Sequence, residues 1–482
     1  MPMDELAVTL SDELALEPHE AERVLPTKNQ FIPLISSEPL TELGITHTTR
    51  SVQSQPGLLR HNFSWVFLGN MTYAGCNWLM SVSLAKMGTV IDVGQYSTGV
   101  ALTQPAITFS MLMLRGVLAT DTRNAHKFGT YLALRLVTTL CALFVLAGIA
   151  LASPGKTDTR WVVLATSLGV CFDAISDIFH GLLQRSETMK PMGISLGAKG
   201  ILSLTLLIVG YQITHSVVGG VLGSALASLL ILCFYDLPNG VKVARKVFPQ
   251  DWITQITPHF DGRELLNLGI TAFPLGLTVM LTTLTNYTSR LFVVQFEGQS
   301  QMGIFSAMTL LLNVGSTALL SMGAALTPRL SQYYTSGRVE DFTKLTVKFT
   351  ALAGLVGAIA LIASAQFGKS ILTFFFKSEY AARPDVFVVL MLAGTAFYLS
   401  LAFGNSLTAA RAFRVQAWAA AAVTVVSIAS AWILVPHYGL MGAAVSTLLA
   451  MATRLFLVFV LFTFVLSSKK RTLANLGHEI RP

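Results

Sequence analysis

From His61 onward the sequence is a succession of apolar runs, each about 20 residues long and set apart by short polar stretches. As a helix, a run of that length covers about 30 Å, the thickness of a bilayer's hydrocarbon core. Nothing constrains the fold more. A backbone in hydrocarbon must satisfy its own polar groups, which leaves only helices and closed barrels. Barrel strands would show weak alternation over about 10 residues, and these runs do not alternate. The expectation is an all-α polytopic membrane protein. Its runs fall at 63–85, 94–118, 129–152, 161–183, 193–213, 216–237, 270–294, 302–324, 349–368, 384–408, 415–435 and 440–466, about twelve transmembrane helices. Charged residues are 12% of the 482, against about 25% in soluble domains. That balance excludes an ordinary soluble enzyme and a disordered chain.

The net charge of +8 reads first as topology. With the N-terminus inside, the inside loops and adjoining span ends hold Arg115, Arg123 and Lys127; Arg185, Lys190 and Lys199; Lys242, Arg245, Lys246 and Arg263; Arg329, Arg338, Lys344 and Lys348; Arg411 and Arg414. The C-terminal tail adds four more. The outside loops hold only Lys86, Lys156, Arg160, Lys369, Lys377 and Arg383. This is the positive-inside pattern, and one missed span would destroy it. Both termini are therefore expected in the cytoplasm. With no soluble basic domain, no nucleic-acid partner is expected.

Residues 1–60 are polar and acidic at first and lack the basic start and apolar core of a signal peptide. They read as a partly disordered cytoplasmic tail with one short helix within 10–24. The rest divides into a six-helix lobe (61–238), a charged cytoplasmic connector (239–268), a second six-helix lobe (269–467) and a C-terminal tail (468–482). An internal repeat supports that division: Gly94-Gln95-Tyr96-Ser97 opens the second run and Gly303-Ile304-Phe305-Ser306 the eighth. His215, Gly220 and Ser224 recur at the same spacing as His437, Gly442 and Ser446. Two halves of six spans enter the membrane from the same side, so a cleft between them is the expected substrate path.

Ionisable groups inside the runs are the sharpest functional signal. At a helix centre each costs about 2.5–3.5 kcal/mol on insertion scales, so it persists where it faces water or a partner. The candidates are Arg135, Asp173, Asp177, Arg290 and Arg454. Asp173, Asp177, His180 and Gln184 fall on one helical stripe. The stripe suits a cavity wall that couples to a proton or cation, or an internal ion pair such as Asp173 with Arg135. Arg290 and Asn286 flank a stripe of Thr278, Thr282, Thr285 and Ser289 in a span that contains Pro274, where a helix can bend. Ser306, Thr309, Asn313 and Ser316 form a matching stripe on the next span. An arginine facing a cavity suits phosphate through its planar fork; the alternative is an arginine snorkelling to the outer interface. Arg115 reads as an interfacial cap. Both readings stay open for Arg454.

Other motifs are weaker. Gly368-Lys369-Ser370 lacks the first glycine and the strand of a P-loop. The cysteines Cys76, Cys141, Cys171 and Cys233 lie in apolar runs without metal spacing and read as small buried hydrophobes. No cofactor or metal is expected. No nucleophile motif and no large loop for a soluble catalytic domain is present, so an enzyme is not expected.

Leu114-Arg115-Gly116-Val117-Leu118-Ala119-Thr120-Asp121, with Phe128-Gly129, Tyr131 and Leu134-Arg135, resembles bacterial polysaccharide flippases of the Wzx type. So do Gly181-Leu182-Leu183-Gln184-Arg185, Pro274-Leu275-Gly276, Asn286 with Arg290, Thr327-Pro328-Arg329-Leu330, Glu379-Tyr380-Ala381 and Thr408-Ala409-Ala410-Arg411. Val435-Pro436-His437-Tyr438-Gly439-Leu440-Met441-Gly442 is similar across the wider exporter superfamily. The resemblance covers about 61–466. The chain departs from it at Ser289, where the family pattern has a proline before the arginine.

The resemblance implies a two-lobed, V-shaped transporter of the multidrug/oligosaccharidyl-lipid/polysaccharide exporter fold, working by alternating access in a bacterial inner membrane. The implied cargo is an oligosaccharide joined by pyrophosphate to a polyprenyl lipid, with membrane lipids and polysaccharide polymerases as partners and a proton or cation as coupling ion. Arg290, Arg135, Asn286 and Asn313 are the expected substrate contacts, and Asp173, Asp177 and His180 the expected coupling or polar wall. An ion-coupled exporter of small cations or drugs, using the acidic stripe, is the principal rival. A membrane polymerase is the next, and its usual large outer loop is missing here.

Overall fold

The computed structural model describes residues 56–121, 126–152 and 157–479. The acidic tail of 1–55, with the helix expected in 10–24, lies outside them. The described residues are helical, with short turns between helices. In chain order the helices are α1 (Pro56–Met87), α2 (Val90–Met111), α3 (Leu114–Thr120), α4 (Phe128–Ala152), α5 (Thr157–Arg185), α6 (Lys190–Thr214) and α7 (Val217–Ile231). A π turn, Leu232–Asp236, leads into α8 (Leu237–Val247). Then come α9 (Trp252–Ile256), α10 (Gly262–Phe296), α11 (Gly298–Thr335), α12 (Val339–Phe375), α13 (Pro384–Ala409) and α14 (Phe413–Glu479).

Ten of these helical stretches are long and apolar enough to cross a bilayer. The count of twelve spans follows from two local facts. The helix α1 carries Asn70, Asn77, Thr72 and Tyr73, which dilute its apolar character. The helix α14 is two spans joined at Gly439, whose φ of 55° and ψ of −131° turn the chain; that conformation suits only a residue without a side chain. Ser430 and Ser446, one on each side of the joint, approach to 2.9 Å.

Sequence chemistry accounts for the starts. Thr89 caps α2 in a reciprocal box: its hydroxyl accepts from the Asp92 amide at 3.3 Å, and its own amide donates to Asp92 Oδ2 at 2.7 Å. Asp261 caps α10 by accepting from the Arg263 amide at 2.9 Å. The second run, expected as one helix over 94–118, is instead broken. Leu112 and Met113 take left-handed φ values of 47° and 53°, and the chain restarts as α3. Such residues are strained by about 1–3 kcal/mol each; here Leu112 is buried against Gly276 of α10. The seventh run is not broken: α10 passes through Pro274 without a non-helical residue.

The two halves touch toward both ends, and α2 takes part at each. Near its start α2 crosses α11 where the repeated motifs meet: a Cβ at Gly94 would overlap the Gln299 carbonyl, and one at Gly303 the Val90 carbonyl. Thr98 donates to Gln299 Oε1 at 2.9 Å beside the crossing. At the same end two lysines reach across reciprocally. Lys86 donates to the Phe374 carbonyl at 2.9 Å, and Lys377 to the Gly88 carbonyl at 2.6 Å. Each ammonium sits at the C-terminal end of a helix of the other half, where cations are favoured. A shared core of Leu84, Val90, Val93, Met302, Phe305, Phe376 and Leu390 fills this end. At the other end Phe109 meets Phe273 edge-on at 5.7 Å, and Thr130 donates to Glu264 Oε2 at 2.9 Å.

Candidate functional site: a polar cavity between the halves

A cavity of about 420 Å³ lies between these two contact zones, walled by α1, α2, α5, α6 and α7 of the first half and α10 and α11 of the second. Tyr73, Tyr96 and Tyr287 give it aromatic faces; Asn77, Gln104, Ser97, Ser306 and Asn313 give it neutral polar groups. Two charged residues line it, Asp173 and Arg290. A second cavity of about 250 Å³ opens within the second half and shares Tyr287, Arg290 and Asn313 with the first. A third of about 190 Å³ lies within the first half, with Asp173, Asp177, His180, Arg115 and Lys199 on its wall.

Arg290 stands where the first two cavities join. Its Nη2 donates to Thr309 Oγ1 at 2.7 Å, its guanidinium lies 5.1 Å from the Tyr287 ring centre, and its Nε is buried without a partner. No carboxylate pairs with it among the described residues. The departure at Ser289 has a visible consequence, because Thr447 of α14 donates to the Ser289 hydroxyl at 3.0 Å and ties α10 down beside the arginine. Asn286 and Asn313, both exposed, share the second cavity with Arg290. Three of the expected substrate contacts are thus together.

Arg135 is placed differently. It is 0% exposed and lines none of these cavities. It donates through Nη2 to Asp177 Oδ2 at 3.0 Å. The other Asp177 oxygen takes Arg115 Nη1 at 3.3 Å, while Arg115 Nε donates to Gln184 at 3.2 Å. Arg115 is therefore not an interfacial cap. The break at Leu112 and Met113 re-aims the chain just before it, so that it turns inward to α5. Asp173 pairs with Lys199 Nζ at 3.1 Å, and Lys199 also lies 4.7 Å from the Tyr73 ring. Lys199, counted from sequence among the inside loops and adjoining span ends, is buried in α6, two and a half turns from the helix start. The Asp173–Arg135 pair considered from sequence is not formed: Arg135 pairs one turn further along α5, with Asp177, and Asp173 pairs with Lys199 of α6.

His180 is buried, with Nε2 3.3 Å from both Asp236 Oδ1 and Ser195 Oγ. Sequence reading missed Asp236, which stands at the end of a run. The π turn rotates it inward, and such turns collect at functional sites. The cysteines need one correction: Cys76 and Cys171 are buried, but Cys141 and Cys233 are exposed. Hydropathy cannot separate these cases, because a spanning helix is apolar toward lipid and toward protein alike.

The interior charges now form a pattern. In the first half Arg115, Arg135 and Lys199 are matched by Asp173, Asp177 and Asp236. The second half holds Arg290 and Arg454 and no interior acid among the described residues.

Comparison with known proteins agrees with this architecture. The MatE family profile matches residues 274–433. The capsular polysaccharide biosynthesis protein CapF of Staphylococcus aureus is 26% identical over 388 residues, covering 80% of this chain and 94% of CapF. Among solved structures, the lipid II flippase MurJ in an inward closed conformation matches with a TM-score of 0.64 at 14% identity, covering 87% of this chain and 93% of MurJ. An inward-facing multidrug resistance MATE family transporter matches at 0.59 and 14% identity, covering 86% and 95%. With its spans in two halves around a polar cavity, the chain has the fold of these MATE-type transporters and of MurJ, and over residues 274–433 it is similar to the MatE family.

Proposed function

We propose that this transporter is a flippase for an oligosaccharide linked through pyrophosphate to a polyprenyl lipid, serving cell-surface polysaccharide synthesis. Cargo moves from the cytoplasmic to the periplasmic leaflet of a bacterial inner membrane by alternating access, and both termini face the cytoplasm. The observation that carries the reading is Arg290. It is a cation at the junction of two cavities, without a carboxylate partner, and has a buried Nε free to donate. An anion at that point would complete it, and the arginine fork suits phosphate oxygens. Asn286, Asn313 and Ser306 can exchange hydrogen bonds with sugar hydroxyls, and Tyr96 and Tyr287 offer faces for sugar rings. The names of CapF and MurJ point the same way.

Arg135 acts in this reading behind the wall, holding Asp177. The carboxylates of the first half are already engaged by Lys199, Arg115 and Arg135, which gives a cationic drug less to bind than a free acid would. The test is translocation of a labelled polyprenyl-pyrophosphate oligosaccharide in vesicles of purified protein, with and without an imposed proton gradient. Protein-dependent movement that Arg290→Ala slows about 10- to 100-fold supports the reading. Cation efflux that survives Arg290→Ala and is lost in Asp173→Asn replaces it with a small-cation exporter.

A further inference from the structure

Arg454 is absorbed by none of this. It lies 15 residues beyond the Gly439 joint and 12 before Leu466, about 22 Å and 18 Å along the helix at 1.5 Å per residue. Neither membrane face is within reach of its side chain. It lines a cavity of about 110 Å³ wholly inside the second half, walled by α10, α13 and both parts of α14, with Thr278, Thr282, Thr285 and Gln416 as its polar groups. Among the described residues Arg454 has neither a hydrogen bond nor an ion pair; its guanidinium lies 5.0 Å from the Phe397 ring. The acids of this half, Glu264, Glu297, Glu340, Asp341, Glu379 and Asp385, stand at helix ends or in turns.

A guanidinium keeps its proton under all ordinary conditions, so burial cannot neutralise it. A ring face attracts it but does not balance its charge. We infer that the Arg454 cavity is a binding site for a small monovalent inorganic anion of the halide class, the missing counter-charge of the second half. The cavity has room for such an ion and several waters, each needing about 10–15 Å³ of such space. The threonine hydroxyls now donate to backbone carbonyls of their own helix: Thr278 to Pro274 at 2.8 Å, Thr282 to Thr278 at 3.0 Å and Thr285 to Leu281 at 3.0 Å. Each can turn about its Cβ–Oγ bond toward an ion. A single cation matches a single negative charge better than a phosphate dianion. Phe397 also lines the Arg290 cavity, so this ring is the partition between the two cationic sites.

The test uses purified full-length protein in detergent, in sodium gluconate at fixed ionic strength. Sodium chloride, bromide or phosphate replaces gluconate stepwise while thermal unfolding is followed. A ligand bound only by the folded protein raises the midpoint, here by about 1–3 °C at saturation. The expected result is a saturable rise with chloride and bromide, absent in Arg454→Gln and retained in Arg290→Gln. A rise with phosphate alone overturns the halide assignment. No halide-specific rise, or one lost in Arg290→Gln and kept in Arg454→Gln, overturns the site. Should Arg454→Gln not fold, anomalous scattering from bromide in crystals of the unaltered protein decides. Density beside Arg454 supports the site, and density only elsewhere refutes it. No lipid enters these measurements, so their failure leaves the flippase reading to its own test.

Discussion

Arg135 is wholly enclosed and shares Asp177 with Arg115, whereas Arg290 has only a threonine hydroxyl and a tyrosine ring for company. The two should respond to mutation in different ways. Asp177→Asn leaves a buried guanidinium without its carboxylate, and loss of about 3 kcal/mol of stability is expected, read as a lower unfolding midpoint in detergent. Arg135→Met together with Asp177→Leu should recover part of that loss, because the buried charge leaves with its partner. Arg290→Ala should leave the midpoint nearly unchanged and slow translocation about 10- to 100-fold, the worth of one hydrogen bond to a charged group. Arg290→Lys should fall between, since an ammonium keeps the charge and loses the fork. A translocation assay on reconstituted vesicles distinguishes the three proteins.

Among the helices, the crossing of α2 and α11 leaves no space for side chains at Gly94 and Gly303. Gly303→Val is therefore expected to cut the yield of folded protein severalfold, seen as aggregation in size-exclusion chromatography. The reciprocal lysines beside the crossing hold the halves by two hydrogen bonds. With Lys86→Met and Lys377→Met combined, spin labels at positions 83 and 378 should show a longer and broader distance distribution than in the parent protein. An unchanged distribution would mean that the packed core alone closes this end. Gly439→Ala tests the joint of α14: a side chain at φ 55° should cost about 1–3 kcal/mol, again read in the unfolding midpoint.

Over the whole molecule, the spans were legible in the sequence because hydropathy is a property of single residues added along a run, and burial in lipid depends on little else. The second-half cavity was legible for a related reason. Asn286, Arg290 and Asn313 are costly in apolar runs, and helical spacing puts Asn286 and Arg290 one turn apart on α10, while the approach of Asn313 on α11 depends on how the two helices pack. What could not be read were matters of tertiary register. The stripe of Asp173, Asp177 and His180 was visible, but its partners Lys199, Arg115 and Asp236 lie on three other elements. One of them is turned inward by a left-handed break and one by a π turn, and neither Leu112-Met113 nor Leu232–Asp236 carries a glycine or proline to announce it. The fold is thus written in hydropathy, and its ion pairs in geometry that hydropathy does not encode.

In the proposed cycle, the uneven distribution of interior charge also makes the protein an electrical device. Arg290 presents uncompensated positive charge to the cavity between the halves, whose exposure alternates between two compartments in the proposed cycle. When that site is empty, switching sides moves positive charge through part of the membrane field, and a full crossing is worth about 2.3 kcal/mol per elementary charge at 100 mV. The proposed pyrophosphate diester cargo brings two negative charges against the single positive charge of Arg290, so the loaded switch carries net negative charge in the opposite direction. A cell-interior-negative voltage would therefore favour both strokes, driving the loaded site outward and drawing the empty one back toward the cytoplasm, and so give the cycle its direction.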